Sequence, residues 1–340
     1  MIEDKVVLIT GAGSLGSALT KRLLQLNPQS IRVLDNHEES LHQLQKTTED
    51  NDVKLRFFVG DITDENRMDL ACENVDLIFH TAALKRIEYG ETNPSTYIRV
   101  NVGGTSNVIN AGLKNNAEKI MIVSTDKACS PVNLYGSTKL QAEKLAISSN
   151  LTVGNKRTIV SCVRYGNVIG STGSVIPIWR SQIENNEPIT LTDPEMKRFS
   201  ITMDDAVEFI LQSTYKAAGG EIFIPNLKTY EVEDLMQAMI CLTDREVKTK
   251  QIPIRQGEKK FEILISKDEM PHVRVDNDSY MILPPNDIIE EYDLGCKKYL
   301  KCQKPNMVEY TSENTPKLTH NELIEILGLI LHSSGRRGSH

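Results

Sequence analysis

Residues 124–139 read S-T-D-K-A-C-S-P-V-N-L-Y-G-S-T-K and gather four groups able to move protons. Asp126 and Lys127 are adjacent, a carboxyl beside an amine. Tyr135 and Lys139 follow at i and i+4, which puts both on one face of a helix. A lysine there favours the phenolate of a tyrosine whose free pKa is ~10, so Tyr135 is expected to act as a base near neutrality. On spacing alone, a half-buried tyrosine beside a solvated lysine fits as well, and Asp126-Lys127 fits a solvated turn. The pattern gains force only from a nucleotide site upstream.

The elements that must position these groups are legible around them. Lys119 to Val123 is an apolar strand, Cys129-Ser130-Pro131 is a turn, and a helix begins near Asn133. Earlier, Lys5 to Thr10 is a continuously apolar strand of the kind buried on both faces of a parallel sheet. Gly11-Ala-Gly13-Ser14-Leu15-Gly16 follows at once, then an amphipathic run to Leu26. Strand, glycine turn and helix N-terminus in that order are the setting of a dinucleotide-binding turn. Gly11 permits the turn, Gly13 lets a pyrophosphate approach the backbone, and Gly16 lets the helix pack close to the strand. Ile31 to Leu34 is a second strand, and it ends in Asp35. A carboxylate there accepts from the adenosine ribose hydroxyls and repels a 2′-phosphate, which favours NAD over NADP. Lys54 to Val59 leads into Gly60-Asp61-Ile62, with Asp61 expected at the adenine edge and Ile62 on its face. Val75 to His80 leads into Thr81-Ala82-Ala83-Leu84-Lys85, whose small residues let a cofactor lie close over the sheet. Pro94 to Asn115 reads as a long helix crowded at Gly103-Gly104, and Thr158 to Val163 as a sixth strand.

Strands alternating with helices, with ligand signals at strand C-termini, predict an α/β fold: a Rossmann-type, doubly wound parallel sheet. After Gly170 the alternation fades. Residues 1–170 are therefore expected to bind the dinucleotide, with some later segments returning to that domain, and 171–332 to form a smaller C-terminal substrate lobe. Helices are expected over Asp204 to Tyr215, Val232 to Cys241 and Glu322 to Leu331, and Ser333 to His340 reads as a vector-derived tail. The chain has 340 residues and a net charge of −7 without a basic block, which argues against a nucleic-acid surface. Six scattered cysteines suit a reducing cytoplasm and speak against a disulfide framework or a zinc site, so no metal is expected. No apolar run reaches the ~18–20 residues of a membrane span.

The chain resembles the extended short-chain dehydrogenase/reductases. Within them it is similar to the UDP-N-acetylglucosamine 4,6-dehydratases that invert C5, enzymes of pseudaminic acid and related polysaccharide biosynthesis. The resemblance rests on TGAGSLG (10–16), GDITD (60–64), TAALK (81–85), the 124–139 run, RYGNVIGSTGSVIP (164–177), MKRF (196–199), GGEIFIPN (219–226), IRQGEKKFE (254–262) and EYTSENT (309–315). Relatives that retain C5 usually carry Asp-Glu where this chain has Asp126-Lys127. The chain departs from the pattern in a glycine turn one residue short. Leu34-Asp35-Asn36 stands where soluble members often have Ser-Arg-Asp and NADP, and resembles the larger membrane-bound relatives. Arg86 to Glu91 differs from the usual stretch, and Ser200 replaces a usual Trp.

The resemblance implies a reaction on a UDP-sugar. Tyr135 takes the O4 proton while hydride leaves C4 for NAD, with Thr125 bonded to O4 and Lys139 holding the nicotinamide ribose. Lys127, its pKa lowered by neighbours and desolvation, takes the C5 proton, and Asp126 protonates the departing C6 hydroxyl. Hydride then returns to C6, so NAD is not consumed. Ala82, Ala83, Lys85 and Asn101 are expected at the cofactor, and Lys85, Asn167 and Val175 at the sugar and its phosphates. Arg198 and Arg255 are expected to meet the diphosphate, because a guanidinium fork matches phosphate oxygens. Glu258 is expected to accept from the uridine ribose. Relatives form dimers built into hexamers, which makes a cytoplasmic homo-oligomer the expectation. Two other readings share the cofactor site: a nucleotide-sugar 4-epimerase, which needs no acid–base pair at 126–127, and a catalytically silent dinucleotide sensor.

Overall fold

A computed structural model describes residues 2–335, apart from 49–52, 153–157, 172–173 and 244. The continuously apolar runs become strands with a neighbour on each edge. Strands β1 (Val6–Thr10), β2 (Ser30–Asp35), β3 (Lys54–Val59), β4 (Leu77–His80), β5 (Lys119–Thr125) and β6 (Ile159–Tyr165) pair in parallel in the order β6-β5-β4-β1-β2-β3. Val7, Leu8 and Ile9 of β1 are fully buried, as expected for a strand buried on both faces. Helices α1 (Ser14–Leu24), α2 (Glu38–Lys46) and α3 (Glu65–Cys72) make the first crossovers. α4 (Ile87–Thr92), α5 (Pro94–Tyr97) and α6 (Thr105–Lys114) lie between β4 and β5, and α7 (Leu134–Ser149) between β5 and β6. The chain winds outward in both directions from β1, so the C-termini of β1 and β4 flank a crevice, the usual ligand position in such sheets.

The long helix expected from Pro94 is continuous but not uniform. Ile98–Gly104 is wound as a π-helix between α5 and α6. Within these wider turns Asn101 is buried and bonded outward. It accepts from the Leu84 N–H (2.8 Å) and donates to the Leu84 carbonyl (2.9 Å) and the Thr138 hydroxyl (3.0 Å). The Gly103-Gly104 crowding sensed in the sequence is therefore this irregularity, a form often found at functional sites.

Past β6 the chain forms β7 (Asn167–Val168), α8 (Val175–Glu184), β8 (Ile189–Leu191), β9 (Lys197–Ile201) and α9 (Met203–Lys216). Then come β10 (Ile222–Pro225), β11 (Lys228–Glu231), α10 (Val232–Cys241), β12 (Thr249–Gln251), β13 (Ile263–Ile265), β14 (Val273–Asp276), β15 (Ser279–Ile282), α11 (Asn286–Glu291), β16 (Tyr310–Thr311) and α12 (His320–Gly335). β10 joins β6 in parallel, and the β14–β15 hairpin adds antiparallel to β10, giving nine strands in the central sheet among the described residues. β7, β9 and β11 form a small sheet beside it. A second core gathers around Trp179, Leu235, Leu323 and Leu327, where α10 meets α12. α12 runs on to Gly335, into the stretch read as a tail, while 336–340 lie outside the described residues.

Candidate active site

A cleft of about 760 Å³ opens along the C-terminal ends of β1 to β6 and is closed on its far side by residues of the second half. Gly11, Gly13, Ser14, Leu15 and Gly16 line one end. Gly11 has φ +94°, and a Cβ there would lie 2.8 Å from the Ala82 nitrogen. A Cβ on Gly16 would lie 1.8 Å from the Gly11 carbonyl oxygen. Only glycine permits this turn and this helix–strand contact. α1 begins at Ser14 with no side-chain cap from Gly13 and no acidic residue in its first turn, so the positive end of its dipole suits an anion. The Asp35 carboxylate accepts from the N–H of Ala12 (2.6 Å) and of His37 (2.7 Å). Each oxygen keeps acceptor capacity for a ribose hydroxyl. Asp61 accepts from the Thr63 N–H (2.8 Å) and the Asn36 amide (3.2 Å), and Ile62 is buried against Gly104 while still lining the cleft. Ala82, Ala83 and Lys85 line the cleft too; Asn101 does not. Its amide is spent on Leu84 and Thr138, so it shapes the wall behind the cofactor end.

β5 runs two residues further than the sequence suggested and carries Thr125 to the cleft; Asp126-Lys127-Ala128 is a single 3-10 turn after it. α7 then begins at Leu134, with the Asn133 side chain accepting the Gly136 N–H at 2.8 Å. A Cβ on Gly136 would stand 2.1 Å from the Lys127 carbonyl oxygen. Glycine lets α7 press against the turn, which brings Tyr135 and Lys139 to the same cleft wall as Thr125 and Lys127. Asp126 lies beneath them, fully buried. Its Oδ1 accepts from the Thr125 hydroxyl (2.9 Å) and from Lys127 Nζ (3.0 Å), while its Oδ2 has no partner. Lys127 Nζ also donates to Asn167 Oδ1 at 3.2 Å and lies 3.8 Å from Glu262 Oε1.

The turn is anchored from below. Arg164, fully buried, binds both oxygens of Glu143 (2.9 and 2.6 Å) and both of Glu269 (3.1 and 2.8 Å). Ser124 donates to Glu143 at 2.6 Å and the Cys129 thiol to Glu269 at 3.3 Å, so both sides of the reactive turn hang on one guanidinium.

Two expectations about charge are reversed. Burial works to lower Lys127, but the Asp126 and Glu262 carboxylates outweigh it and hold the ammonium well above the usual lysine range. Burial pushes the Tyr135 phenol up to about 12, against the opposing Lys127 charge and the Thr125 hydrogen bond. Lys139, the expected activator of Tyr135, is itself brought down to about 8 by burial. The cation that favours the Tyr135 phenolate is thus Lys127.

Asn167, Val175, Arg198, Arg255 and Glu258 line the other side of the cleft. Arg198 gives both Nη1 hydrogens to the carbonyls of Lys197 (3.0 Å) and Lys260 (3.1 Å), and Nη2 meets Met196 Sδ at 3.0 Å. At most two of its five donors remain for a ligand. Arg255 pairs with Glu88 at 3.4 Å, and its own N–H meets Glu258 at 3.3 Å. The Arg86–Glu91 departure therefore supplies a partner for Arg255. Sequence reasoning missed Tyr230, bonded to Asn167, and Glu262. Glu262 ends a quoted motif, but no spacing rule points to it.

The model of the polysaccharide biosynthesis protein family matches residues 7–284. The chain is 41% identical over 83% of its length to an uncharacterized membrane protein of Methanocaldococcus jannaschii, covering 86% of that protein. Among the described residues of this chain, no helix is long and apolar enough to cross a membrane. The chain is 36% identical over 98% of its length to a UDP-N-acetylglucosamine 4,6-dehydratase (inverting) of Campylobacter jejuni, covering all of that protein. A UDP-glucose 4-epimerase of Rickettsia bellii is 34% identical over 96% of both chains. Of solved structures, Pen from Bacillus thuringiensis superposes with a TM-score of 0.88 at 34% identity, covering 97% of this chain and 98% of that one. DesIV, a dTDP-glucose 4,6-dehydratase from Streptomyces venezuelae with NAD and TYD bound, shares the fold at a TM-score of 0.71 and 19% identity, over 97% and 98% of the two chains.

Proposed function

The chain belongs to the polysaccharide biosynthesis protein family, among nucleotide-sugar dehydratases and epimerases, and we propose that it is a C5-inverting UDP-N-acetylglucosamine 4,6-dehydratase using NAD. One observation carries the choice of dehydratase. Lys127 Nζ sits 3.0 Å from the buried Asp126 carboxylate, beside Tyr135 on the cleft wall. An epimerase has no use for such a pair; an elimination needs an acid and a base together.

The residues at the cofactor end fit a dinucleotide: a glycine turn no other residue could form, an uncapped helix start and a carboxylate at the end of β2. Asp35 argues for NAD against NADP. NAD, when bound, accepts hydride from the sugar's C4 and returns it to C6. Tyr135 Oη takes the O4 proton as the phenolate; burial opposes that form, and the cationic Lys127 is the charge that works against the burial. Lys139 holds the nicotinamide ribose.

The elimination follows from the ion pair itself. Its proton passes from Lys127 Nζ to Asp126 Oδ1, leaving a neutral amine beside a carboxylic acid. Lys127 then removes the C5 proton, made acidic by the C4 ketone. Asp126 protonates the C6 hydroxyl, which leaves as water. The C5–H bond and the C6–O bond break, the C5=C6 bond forms, and the ion pair is restored. The elimination itself consumes no outside proton; when hydride returns to C6, C5 takes a proton from the face opposite Lys127 and Tyr135 releases the proton it took from O4, so the cycle balances and one solvent hydrogen enters at C5. Residues 171–332, with Arg198, Arg255, Glu258, Asn167 and Val175, serve as the nucleotide-sugar half of the site, and Lys85 reaches it from the other wall.

The test is proton NMR of the purified protein turning over UDP-N-acetylglucosamine in heavy water. The expected product is a 4-keto-6-deoxy sugar with one deuterium at C5 and the small ring couplings of the L-arabino configuration. A C4 epimer as sole product would establish the second reading, which the Rickettsia bellii relative favours. D-xylo couplings would refute inversion.

A further inference from the structure

Glu262 is placed where the chemistry proposed for Asp126 and Lys127 has a gap. Its side chain is 4% exposed, and its Oε1 lies 3.8 Å from both Lys127 Nζ and Arg198 Nε. Its Oε2 is buried with no hydrogen-bond partner. Leaving a carboxylate oxygen unsatisfied in a dry wall is costly, so such a group has either a structural compensation or a use. The backbone around it is fixed. The Glu262 N–H donates to the Ser312 hydroxyl (2.9 Å), the Ser312 N–H donates to the Glu262 carbonyl (2.9 Å), and the same hydroxyl donates to the Lys197 carbonyl (3.0 Å). Residues 309–315, a motif without a role in the sequence reading, therefore clamp Glu262 behind the cleft wall that Lys127 and Arg198 line. The clamp aims its carboxylate at two cations.

We propose that Glu262 is the positioning residue for the base: its carboxylate is the counter-charge that receives the Lys127 ammonium while Asp126 is protonated, and it ties Lys127 to Arg198. This rests on the reading of Asp126 and Lys127 as acid and base. Once the proton has moved to Asp126, that side chain no longer offers an anion. When Lys127 then takes the C5 proton, the new ammonium needs another. Of the groups facing Lys127, Asp126 is neutral at that moment, Tyr135 of α7 and Tyr230 of β11 are phenols, and Arg198 of β9 is a cation. Among the described residues Glu262 alone then supplies negative charge there, and its unpartnered oxygen gives it room to tighten. Its field, opposed by Arg198, also keeps Lys127 charged in the resting site.

The test reads Lys127 directly, without turnover. Full-length parent, Glu262→Gln and Glu262→Asp proteins are labelled with limiting acetic anhydride at pH 9. Lys127 acetylation is quantified by mass spectrometry against exposed Lys46. Only the neutral amine reacts. Glu262→Gln is expected to raise relative Lys127 labelling at least about tenfold, a shift of one pKa unit or more. Glu262→Asp, which keeps the charge but retracts it, is expected to fall between. With UDP-N-acetylglucosamine, Glu262→Gln should lower kcat by at least about tenfold with KM changed far less. Its rate should also reach its plateau at lower pH than the parent's. Parent-like labelling in a Glu262→Gln protein with the parent's circular dichroism overturns the proposal. If that variant does not fold, parent-like labelling in Glu262→Asp overturns it. Raised labelling together with a parent protein inert toward the sugar nucleotide would overturn the dehydratase reading while leaving the Glu262–Lys127 coupling in place.

Discussion

Asp126→Asn separates the two halves of the elimination. The substitution keeps the shape of the side chain and removes its charge and its proton. Two unit charges 3.0 Å apart attract by about 5.5 kcal/mol at an effective dielectric near 20, equivalent to about four pKa units on Lys127 before desolvation is set against it. Glu262, at 3.8 Å, remains. Lys127 in the variant therefore loses its proton far more readily and is the stronger candidate to exchange the C5 hydrogen, while the acid that expels the C6 hydroxyl is gone. Loss of a positioned general acid typically costs about 10²- to 10⁴-fold. The expected result in heavy water is a split: C5 deuterium appears in recovered sugar nucleotide, and formation of the 6-deoxy product falls by about 10²-fold or more. Proton NMR of the sugar follows both events in one tube. Product formation above about a tenth of the parent rate would refute Asp126 as the acid. Loss of C5 exchange in step with product formation would instead make Asp126 the base.

Tyr135→Phe should abolish turnover by about two to four orders of magnitude while titration calorimetry shows nearly unchanged NAD binding, because only the proton acceptor is lost; more than about half the parent rate would refute its role. The unmutated protein should work better with NAD than with NADP, and Asp35→Ala should narrow that gap; equal activity with both cofactors in the parent would refute the carboxylate argument. Glu269 is held down to about 2, since Arg164 outweighs the burial that would raise it. A carboxylate with a depressed folded pKa stabilises above its unfolded value near 4.5 and loses that contribution as pH falls toward 2, so Glu269→Gln should cost at most about 3 kcal/mol at pH 7 and much less near pH 3. Melting curves at the two pH values check this, and an equal loss at both would refute it.

The parts legible in the sequence share one property: their cause is local. β1, and β5 after Lys119, are buried strands because every residue in them is apolar or small, and the glycine turn announces itself between a strand and a helix. The β14–β15 hairpin also had a local signal that went unread. Asp276-Asn277-Asp278 separates two β-branched and aromatic runs, and Asn277 takes the positive φ (+51°) such a turn needs. The π-helical turns at Ile98–Gly104 were felt only as crowding, because their cause is the reach of Asn101 to Leu84 and Thr138 in other elements.

Charge state was the least legible quantity, and Lys127 shows why. Its contact with Asp126 follows from adjacency on a tight turn, so the pairing of an acid with a base could be read from residues alone. Whether the pair rests ionised depends on what else lies within a few ångströms. For Lys127 those groups are Asn167 after β6, Arg198 on β9 and Glu262 before β13. Burial alone would have lowered Lys127, as the sequence reading supposed; the Asp126 carboxylate, joined by a second one from a distant segment, reverses the sign. The same arrangement makes the site self-consistent. A lysine kept neutral at rest would stand ready as a base while its aspartate remained an anion unable to act as an acid. In the proposed elimination, an ion pair at rest stores both functions as one proton displaced by a single hydrogen bond, and entry of the sugar would need only to exclude water from the cleft to bring the neutral pair within reach.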